Sequence, residues 1–309
     1  MTLIANWLAN APDFAVPYAL AALGLILTER SGVLSLGAEG YMLVGALSGI
    51  GAQLAFGSVL ISLVVAMLAT ALVSLLFGIL VVGMRVNQVI AGLAIVFFCQ
   101  GLTSFVGNQF DWMNRAVAGL PTLDLGPLTQ IPFMGRLLFG QNLMVYLTLA
   151  LIVAMVAFLD RSMTGLRLRA VGENPVAADA AGVAVSRYRL LAVLAGSSIA
   201  GLAGAYLSVI STRLWVEGMI GGRGWIAVGL VIFARWQPWR ALSGALLFGG
   251  IEALVPQLAA AGIRLPQYFV LMTPYAVTLA VMIWVSLSKQ RADTQPAALG
   301  EPWVREERR

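Results

Sequence analysis

The sequence has no histidine, a single cysteine, and only 11% charged residues against 60% hydrophobic ones. Histidine is the commonest general base and metal ligand near neutral pH. Its absence excludes a histidine-dependent hydrolase or a His-ligated zinc enzyme, and no metal site is predicted. The lone cysteine, Cys99, lies in an apolar run and permits no internal disulfide. We interpret it as a small buried hydrophobe rather than a reactive thiol.

A nucleotide-binding loop is absent as well. The phosphate-binding motif G-x-x-x-x-G-K ends in a lysine, and the only lysine, Lys289, follows Val285–Ser288, which contains no glycine. Any ATP that the protein uses must therefore be hydrolysed on another chain. The net charge of +5 does not indicate nucleic-acid binding, because the basic residues lie at the ends of apolar segments rather than on one basic face.

Long apolar runs dominate the chain. No charged residue occurs between Tyr41 and Met84 or between Val86 and Phe110, and a helix needs roughly 20 apolar residues to cross a bilayer. The sequence predicts an all-α integral membrane protein of about eight to ten transmembrane helices. The candidate segments are 13–28, 40–56, 58–84, 88–107, 141–159, 187–210, 220–235, 241–259 and 267–288.

Arginine is distributed unevenly between the loops, and cytoplasmic loops retain the excess of basic residues. This rule places the loop 160–186 and the C-terminus in the cytoplasm, and the N-terminus and the loop 108–140 outside. We divide the chain into a membrane domain, 1–288, and a polar tail, 289–309, expected to be disordered and cytoplasmic. The external loop is either a partner contact or a passive connector. Residues 1–20 contain no Lys or Arg, so we expect no cleaved signal peptide.

Two glycine-rich stretches share one pattern. Residues 37–45 and 221–229 both read G-x-charged-G-aromatic-x-x-V-G, and the predicted topology makes them enter the membrane from opposite sides. This arrangement is expected of an inverted repeat, which places a binding site between its copies. The candidate membrane segments at these two positions, 40–56 and 220–235, are short, which favours broken or re-entrant helices.

The loop 160–186 contains a capped helix signal. Asn174 is a preferred N-cap, Pro175 suits the first helical position, and Gly182 suits the left-handed residue after the last turn. Alanines fill most of the interval, which predicts a helix of about two turns outside the bilayer. Such a short helix needs packing to be stable, either on its own domain or in a partner's groove. A plain cytoplasmic connector is the alternative.

Residues 172–182 read G-E-N-P-V-A-A-D-A-A-G. They resemble the coupling segment of ABC permeases in the family serving ribose, galactose, nucleosides and branched-chain amino acids, whose signature is G-E-N-P-x-A-A-x-x-A-G. The match is closest to the simple-sugar and nucleoside branch. Further resemblances lie at 29–40, 87–93, 201–208 and 222–227. Ser35 is a departure, because that branch usually has asparagine there.

The resemblance implies a subunit of an importer in the bacterial inner membrane. It further implies a second permease chain, identical or homologous, two cytoplasmic ATPases that carry the ATP and Mg²⁺, and an external substrate-binding protein. No cofactor is expected on this chain. Apart from these partner proteins, the chain is expected to contact membrane lipid. The residues expected to form the coupling element are Gly172, Glu173, Asn174, Pro175, Ala178, Ala181 and Gly182.

Polar residues in apolar segments are costly unless they are paired or face water, so they are candidates for the translocation path. They are Glu39, Asn87, Gln88, Gln100 and Glu252. Each has a structural alternative: Glu252 could pair with Arg223 or Arg264, Glu39 could serve a helix start, and Asn87 with Gln88 could cap the next helix.

Two other transport functions remain open at this stage. A branched-chain amino-acid permease would share the coupling segment, although amides and aromatic rings suit a nucleoside or sugar better than a zwitterion. A stand-alone secondary transporter or channel would work without an ATPase. A membrane enzyme is disfavoured, because no nucleophile–base pair stands out.

Overall fold

The computed structural model describes residues 2–120, 139–260 and 295–304, with single residues and short pairs between 262 and 283. Apart from an isolated bridge between Met113 and Trp215, the regular structure of these residues is helical. The helices are α1 (Thr2–Glu29), α2 (Ala38–Phe56), α3 (Val59–Gly78), α4 (Gln88–Gln109), α5 (Leu143–Arg161), α6 (Met163–Glu173), α7 (Pro175–Ala180), α8 (Val185–Ala205), α9 (Arg223–Ala234) and α10 (Pro238–Ala260). A π-helical turn follows α3 at Ile79–Gly83, and another follows α8 at Tyr206–Ser211.

Six helical stretches among the described residues are long and apolar enough to cross a membrane. They are Asn6–Glu29, Val59–Gly83, Gln88–Gln109, Leu143–Arg161, Val185–Ser211 and Pro238–Ala260. The chain is therefore a multi-pass membrane protein, as predicted. Most of the segment 267–288 lies outside the described residues, so a count of eight to ten helices stays a prediction.

The predicted segments 40–56 and 220–235 differ from ordinary membrane-spanning helices. The predicted segment 40–56 lies in α2, which has 19 residues but is not one of the six long apolar stretches. The predicted segment 220–235 contains α9, which has only 12 residues. At 1.5 Å per residue α9 rises about 18 Å, well short of a bilayer core of about 30 Å.

Helices α1, α2 and α8 form the centre of the molecule. Helix α8 packs against all of α1, α2 and α3, and α1 also packs against α10. Glycines permit the close approach of α2 and α8: a Cβ on Gly45 would lie 2.0 Å from the carbonyl oxygen of Gly201, and one on Gly204 would lie 1.9 Å from that of Met42. Membrane helices commonly pack through small residues in this way. Helices α3, α4 and α5 lie around this centre and leave much of their apolar surface exposed.

The predictions for the loop 108–140 and for the C-terminal tail had different outcomes. The described start of the loop predicted to be external is tied to residues after α8. Asn114 donates its backbone N–H to the carbonyl of Trp215 and Val117 donates to that of Arg213, both at 2.9 Å. The remainder of that loop, 121–138, lies outside the described residues. The tail 289–309 was predicted to be disordered, and for residues 295–304 this is wrong: they pack against the membrane domain, and Ala298 is only 5% exposed.

Candidate functional site

The predicted coupling loop contains two helices rather than one. Ser162 ends α5 and caps α6, with its hydroxyl accepting the backbone N–H of Gly165 at 2.9 Å. Helix α6 then runs to Glu173. Helix α6 was not predicted from the sequence, although a serine N-cap before a run of helix-forming residues is a recognisable start signal. We call Met163–Gly182 the coupling element.

The short helix α7 follows the predicted capping chemistry. The Asn174 side-chain oxygen accepts the N–H of Ala177 at 2.9 Å, and Pro175 occupies the first turn. Gly182 has φ of +80° and donates its N–H to Asp179 at 2.9 Å. A left-handed glycine of this kind terminates a helix while satisfying its last carbonyls. The prediction of a short, separately capped helix is confirmed.

The C-terminal end of α6 lies against the turn that joins α1 to α2. A Cβ on Gly172 would lie 2.2 Å from the carbonyl oxygen of Arg30, so only glycine fits. Gly32, in that turn, has φ of +87°. On the far side of the turn, Arg30 donates to the Trp236 carbonyl and Glu29 accepts the Trp236 indole N–H at 2.6 Å. The family-like stretch that begins at Glu29 therefore joins the coupling element to the end of α9.

The two alanines expected at a partner surface face different ways. Ala178 is 5% exposed and packs with Val171 and Val185 of its own chain. Ala181 is exposed, and so is Val176, at 59%. On α6, Leu166 is 53% exposed. The coupling element therefore buries Ala178 inward. We call its exposed residues Leu166, Val176 and Ala181 the outer face of the coupling element.

Glu39 joins the two copies of the glycine-rich motif. Its carboxylate accepts the backbone N–H groups of Gly222 and Gly224, each at 2.8 Å. The negative charge therefore lies at the N-terminus of α9, where unpaired N–H groups and the helix dipole favour an anion. Glu39 itself is 9% exposed, in the first turn of α2.

Glu252 of α10 pairs with Arg223, the first residue of α9. It also accepts a hydrogen bond of 2.9 Å from the Tyr18 hydroxyl of α1. The Arg223 guanidinium further donates to the carbonyl of Ile220 at 2.9 Å. Side chains of the ion pair are 24% and 22% exposed, so it is partly open. Of the two alternatives for Glu252, the ion pair with Arg223 is present.

Asn87 and Gln88 lie at the start of α4 but play separate parts. The Asn87 side chain caps α4 by accepting the N–H groups of Val89 and Ile90, at 3.0 and 3.1 Å. Gln88 is 3% exposed, and its amide oxygen accepts the Leu34 N–H at 2.6 Å. The Gln88 amide nitrogen is buried without a hydrogen-bond partner in the described part of the chain.

Gln100, like Asn87, is exposed, but it lies within the apolar helix α4 rather than at its N-cap. Ser104 and Asn108 follow it on α4 at spacings of four residues, half-exposed and exposed respectively. Residues four apart share one helix face, so these side chains form a polar stripe beside the apolar surface that carries Phe98 and Phe105.

A further polar cluster escaped the sequence analysis. The Tyr206 hydroxyl donates to the Asp13 carboxylate at 2.5 Å, and the Asn142 amide contacts both groups. The residues lie in α1, before α5 and in the π-helical turn after α8. The sequence contains one signal for this cluster, which is that each of these polar residues occurs in apolar surroundings. Their contact could not be predicted, because they are far apart in sequence.

A family model described as a branched-chain amino acid transport system permease component matches residues 8–286. The chain belongs to this permease family. The permease is therefore a transport subunit rather than a catalytic enzyme, and the resemblance noted from residues 172–182 is confirmed at the level of the family.

Four similar proteins align with most or nearly all of the permease. A putative glucose ABC transporter permease protein of Haloferax volcanii is 36% identical, with 99% of each chain covered. The guanosine ABC transporter permease protein NupQ of Bacillus subtilis is 34% identical over 96% of this chain and 95% of its own. The nucleoside ABC transporter permease protein NupC of Lactococcus lactis is 32% identical over 89% and 90%. A second guanosine permease protein of Bacillus subtilis, NupP, is 25% identical over 76% of this chain and 70% of its own.

Proposed function

We propose that this chain is the membrane-spanning permease subunit of an ATP-driven importer for a nucleoside or a simple sugar. The observation that carries the proposal is the agreement of three near full-length relatives, at 32–36% identity, that are named as ABC permeases for glucose, guanosine and nucleosides. Its orientation in a bacterial plasma membrane, with the N-terminus external and the C-terminus cytoplasmic, follows from the distribution of arginine.

The exposed outer face of the coupling element is the proposed contact with a separate cytoplasmic ATPase. Nucleotide-driven closure of the ATPases would push on α7 and shift the membrane helices between outward-open and inward-open states. The capping of α7 by Asn174 and the close contact of Gly172 with Arg30 support this role. Because α7 follows α6 at once, a displacement of α7 would reach the α1–α2 turn through the end of α6.

The second permease is proposed to be a homologue rather than an identical copy. Bacillus subtilis has two guanosine permease proteins, NupQ and NupP, and this chain is 34% identical to one and 25% identical to the other. An external substrate-binding protein completes the proposed importer.

A branched-chain amino-acid permease is the second candidate, favoured by the description of the family model. Uptake of labelled guanosine, glucose and leucine should be compared in vesicles that hold this permease with its ATPases, second permease and external receptor. The same assay with an ATPase whose phosphate-loop lysine is replaced serves as the control. We expect guanosine or glucose uptake that stops in the control. Leucine uptake would favour the second candidate, and uptake that persists in the control would point to a stand-alone transporter.

A further inference from the structure

Residues 295–304, which we call the C-terminal strap, lie across the junction between the coupling element and the membrane domain. The Ala298 N–H donates to the carbonyl of Gly172 at 2.9 Å, and the Gly300 N–H donates to that of Gly32 at 3.2 Å. The Ala297 N–H reaches the Glu173 carboxylate at 3.3 Å. Three successive parts of the strap therefore contact the end of α6 and the α1–α2 turn.

The strap also contacts the start of α8 through a buried arginine. Arg189 is 3% exposed, and its Nη1 donates to the backbone carbonyl of Glu301 at 2.9 Å. Its Nε and Nη2 have no hydrogen-bond partner among the described residues. A buried guanidinium is costly without acceptors, so the strap carbonyl stabilises Arg189 in this position.

The end of the strap reaches the coupling helix itself. Trp303 packs on the apolar cluster of Val171, Ala178 and Val185, which joins α6, α7 and α8. Ala178 is the inward-facing alanine of α7. Large aromatic side chains contribute much of the apolar area in such contacts, and Trp303 is therefore part of the seat of α7 although it is more than one hundred residues away in sequence.

We propose that the C-terminal strap is a positioning element of the transport cycle, with Trp303 and Arg189 as its main contacts. It makes the coupling element, the α1–α2 turn and the start of α8 move together, so that a push on α7 reaches the membrane helices instead of bending the loop. This inference rests on the proposed function, because it presupposes an ATPase that acts on α7.

The test uses the whole importer in vesicles and measures labelled guanosine and glucose uptake together with ATP hydrolysis. One variant ends at residue 294 and lacks the strap; its matched control ends at residue 304 and keeps it. Trp303→Ala, with Trp303→Phe as the conservative control, covers the case in which the truncated chain fails to fold. Substrate transported per ATP should fall at least about fivefold in the strap variants, the lower range of typical coupling effects. It should stay near wild type in both controls.

Copurification of the ATPase and the thermal midpoint of the permease complete the experiment. In Trp303→Ala we expect ATPase copurification to stay near wild type, while the thermal midpoint falls because apolar area is lost from the cluster. Unchanged transport per ATP in Trp303→Ala would overturn the proposal, and so would a parallel loss of ATPase binding and thermal stability, which indicates a purely structural part. Ala181→Asp, on the outer face of the coupling element, separates the two proposals. If Ala181→Asp abolishes uptake and the strap variants do not, only the strap inference fails; if Ala181→Asp transports normally, the proposed ATPase contact itself fails.

Discussion

The backbone N–H of Gly224 donates a hydrogen bond of 2.8 Å to the carboxylate of Glu39, which connects the start of α9 with the start of α2. A Cβ on Gly224 would lie 2.4 Å from the Glu39 backbone nitrogen, so the two helix starts are in direct backbone contact. The two copies of the glycine-rich motif therefore meet each other. Their relation as an inverted repeat stays a prediction. Their contact shows that the motif has a structural role, because it holds the starts of α2 and α9 together.

Replacing Glu39 should destabilise the permease. Glu39→Ala leaves the N–H groups of Gly222 and Gly224 without their carboxylate acceptor, and a buried donor left unpaired costs about 1–3 kcal/mol. The thermal midpoint in detergent should fall clearly. Glu39→Gln keeps an oxygen acceptor but loses the charge that favours a helix N-terminus, so its loss should be smaller. An unchanged midpoint in Glu39→Ala would contradict the capping role.

Two alanines of the coupling element, Ala178 in α7 and Ala181 just after it, should respond differently to the same substitution. Ala181→Asp adds a charge at the exposed position just after α7 and should abolish uptake with normal expression and thermal stability. Ala178→Asp puts a charge into the cluster with Val171 and Val185; because a buried unpaired charge is costly, this variant should lose expression and stability. Uptake, membrane level and thermal midpoint should be measured for both. Equal behaviour of the two variants would show that the coupling element does not have distinct inner and outer faces.

A double-mutant cycle can separate pairing from transport at the ion pair of Arg223 and Glu252. Glu252→Leu leaves the partly buried Arg223 without its partner and should destabilise the permease by about 3–5 kcal/mol, as when one half of a buried pair is removed. Adding Arg223→Leu should recover much of that loss, measured as resistance to denaturation in detergent.

Uptake by the recovered double variant then decides the role of the pair. Normal transport would assign Arg223 and Glu252 to structure alone. A stable double variant that no longer transports would place the pair in the translocation path, which its partial exposure would permit.

The part of the candidate site that could be predicted from the sequence was local. Asn174, Pro175 and Gly182 determine the ends of α7 through contacts with residues a few positions away, and capping preferences describe such contacts. The ion pair of Arg223 and Glu252 was foreseen only as one of two alternatives, because opposite charges in apolar segments need partners.

Contacts between distant residues explain what could not be predicted. The tail composition indicated disorder, yet Glu301 accepts from Arg189 across 112 positions, and Ala297 donates to Glu173 across 124. Ala178 was expected at a partner surface because small side chains allow close approach. The sequence did not reveal that its own Trp303 would cover that side of the helix.

The polar stripe on α4 leads to the last prediction. Gln100 is exposed beside Ser104 and Asn108 on a helix whose adjacent exposed surface carries Phe98 and Phe105. An amide facing lipid is unfavourable, so we expect this face to meet water or the second permease.

Gln100→Leu should then lower uptake while leaving thermal stability near wild type, because the amide is removed from the path and not from the core. Ala94→Leu is the matched control, since it places the same side chain at another exposed position of α4. Vesicle uptake and thermal midpoint should be measured for both. If Gln100→Leu transports like Ala94→Leu and is more stable than wild type, Gln100 faces lipid and the path lies elsewhere.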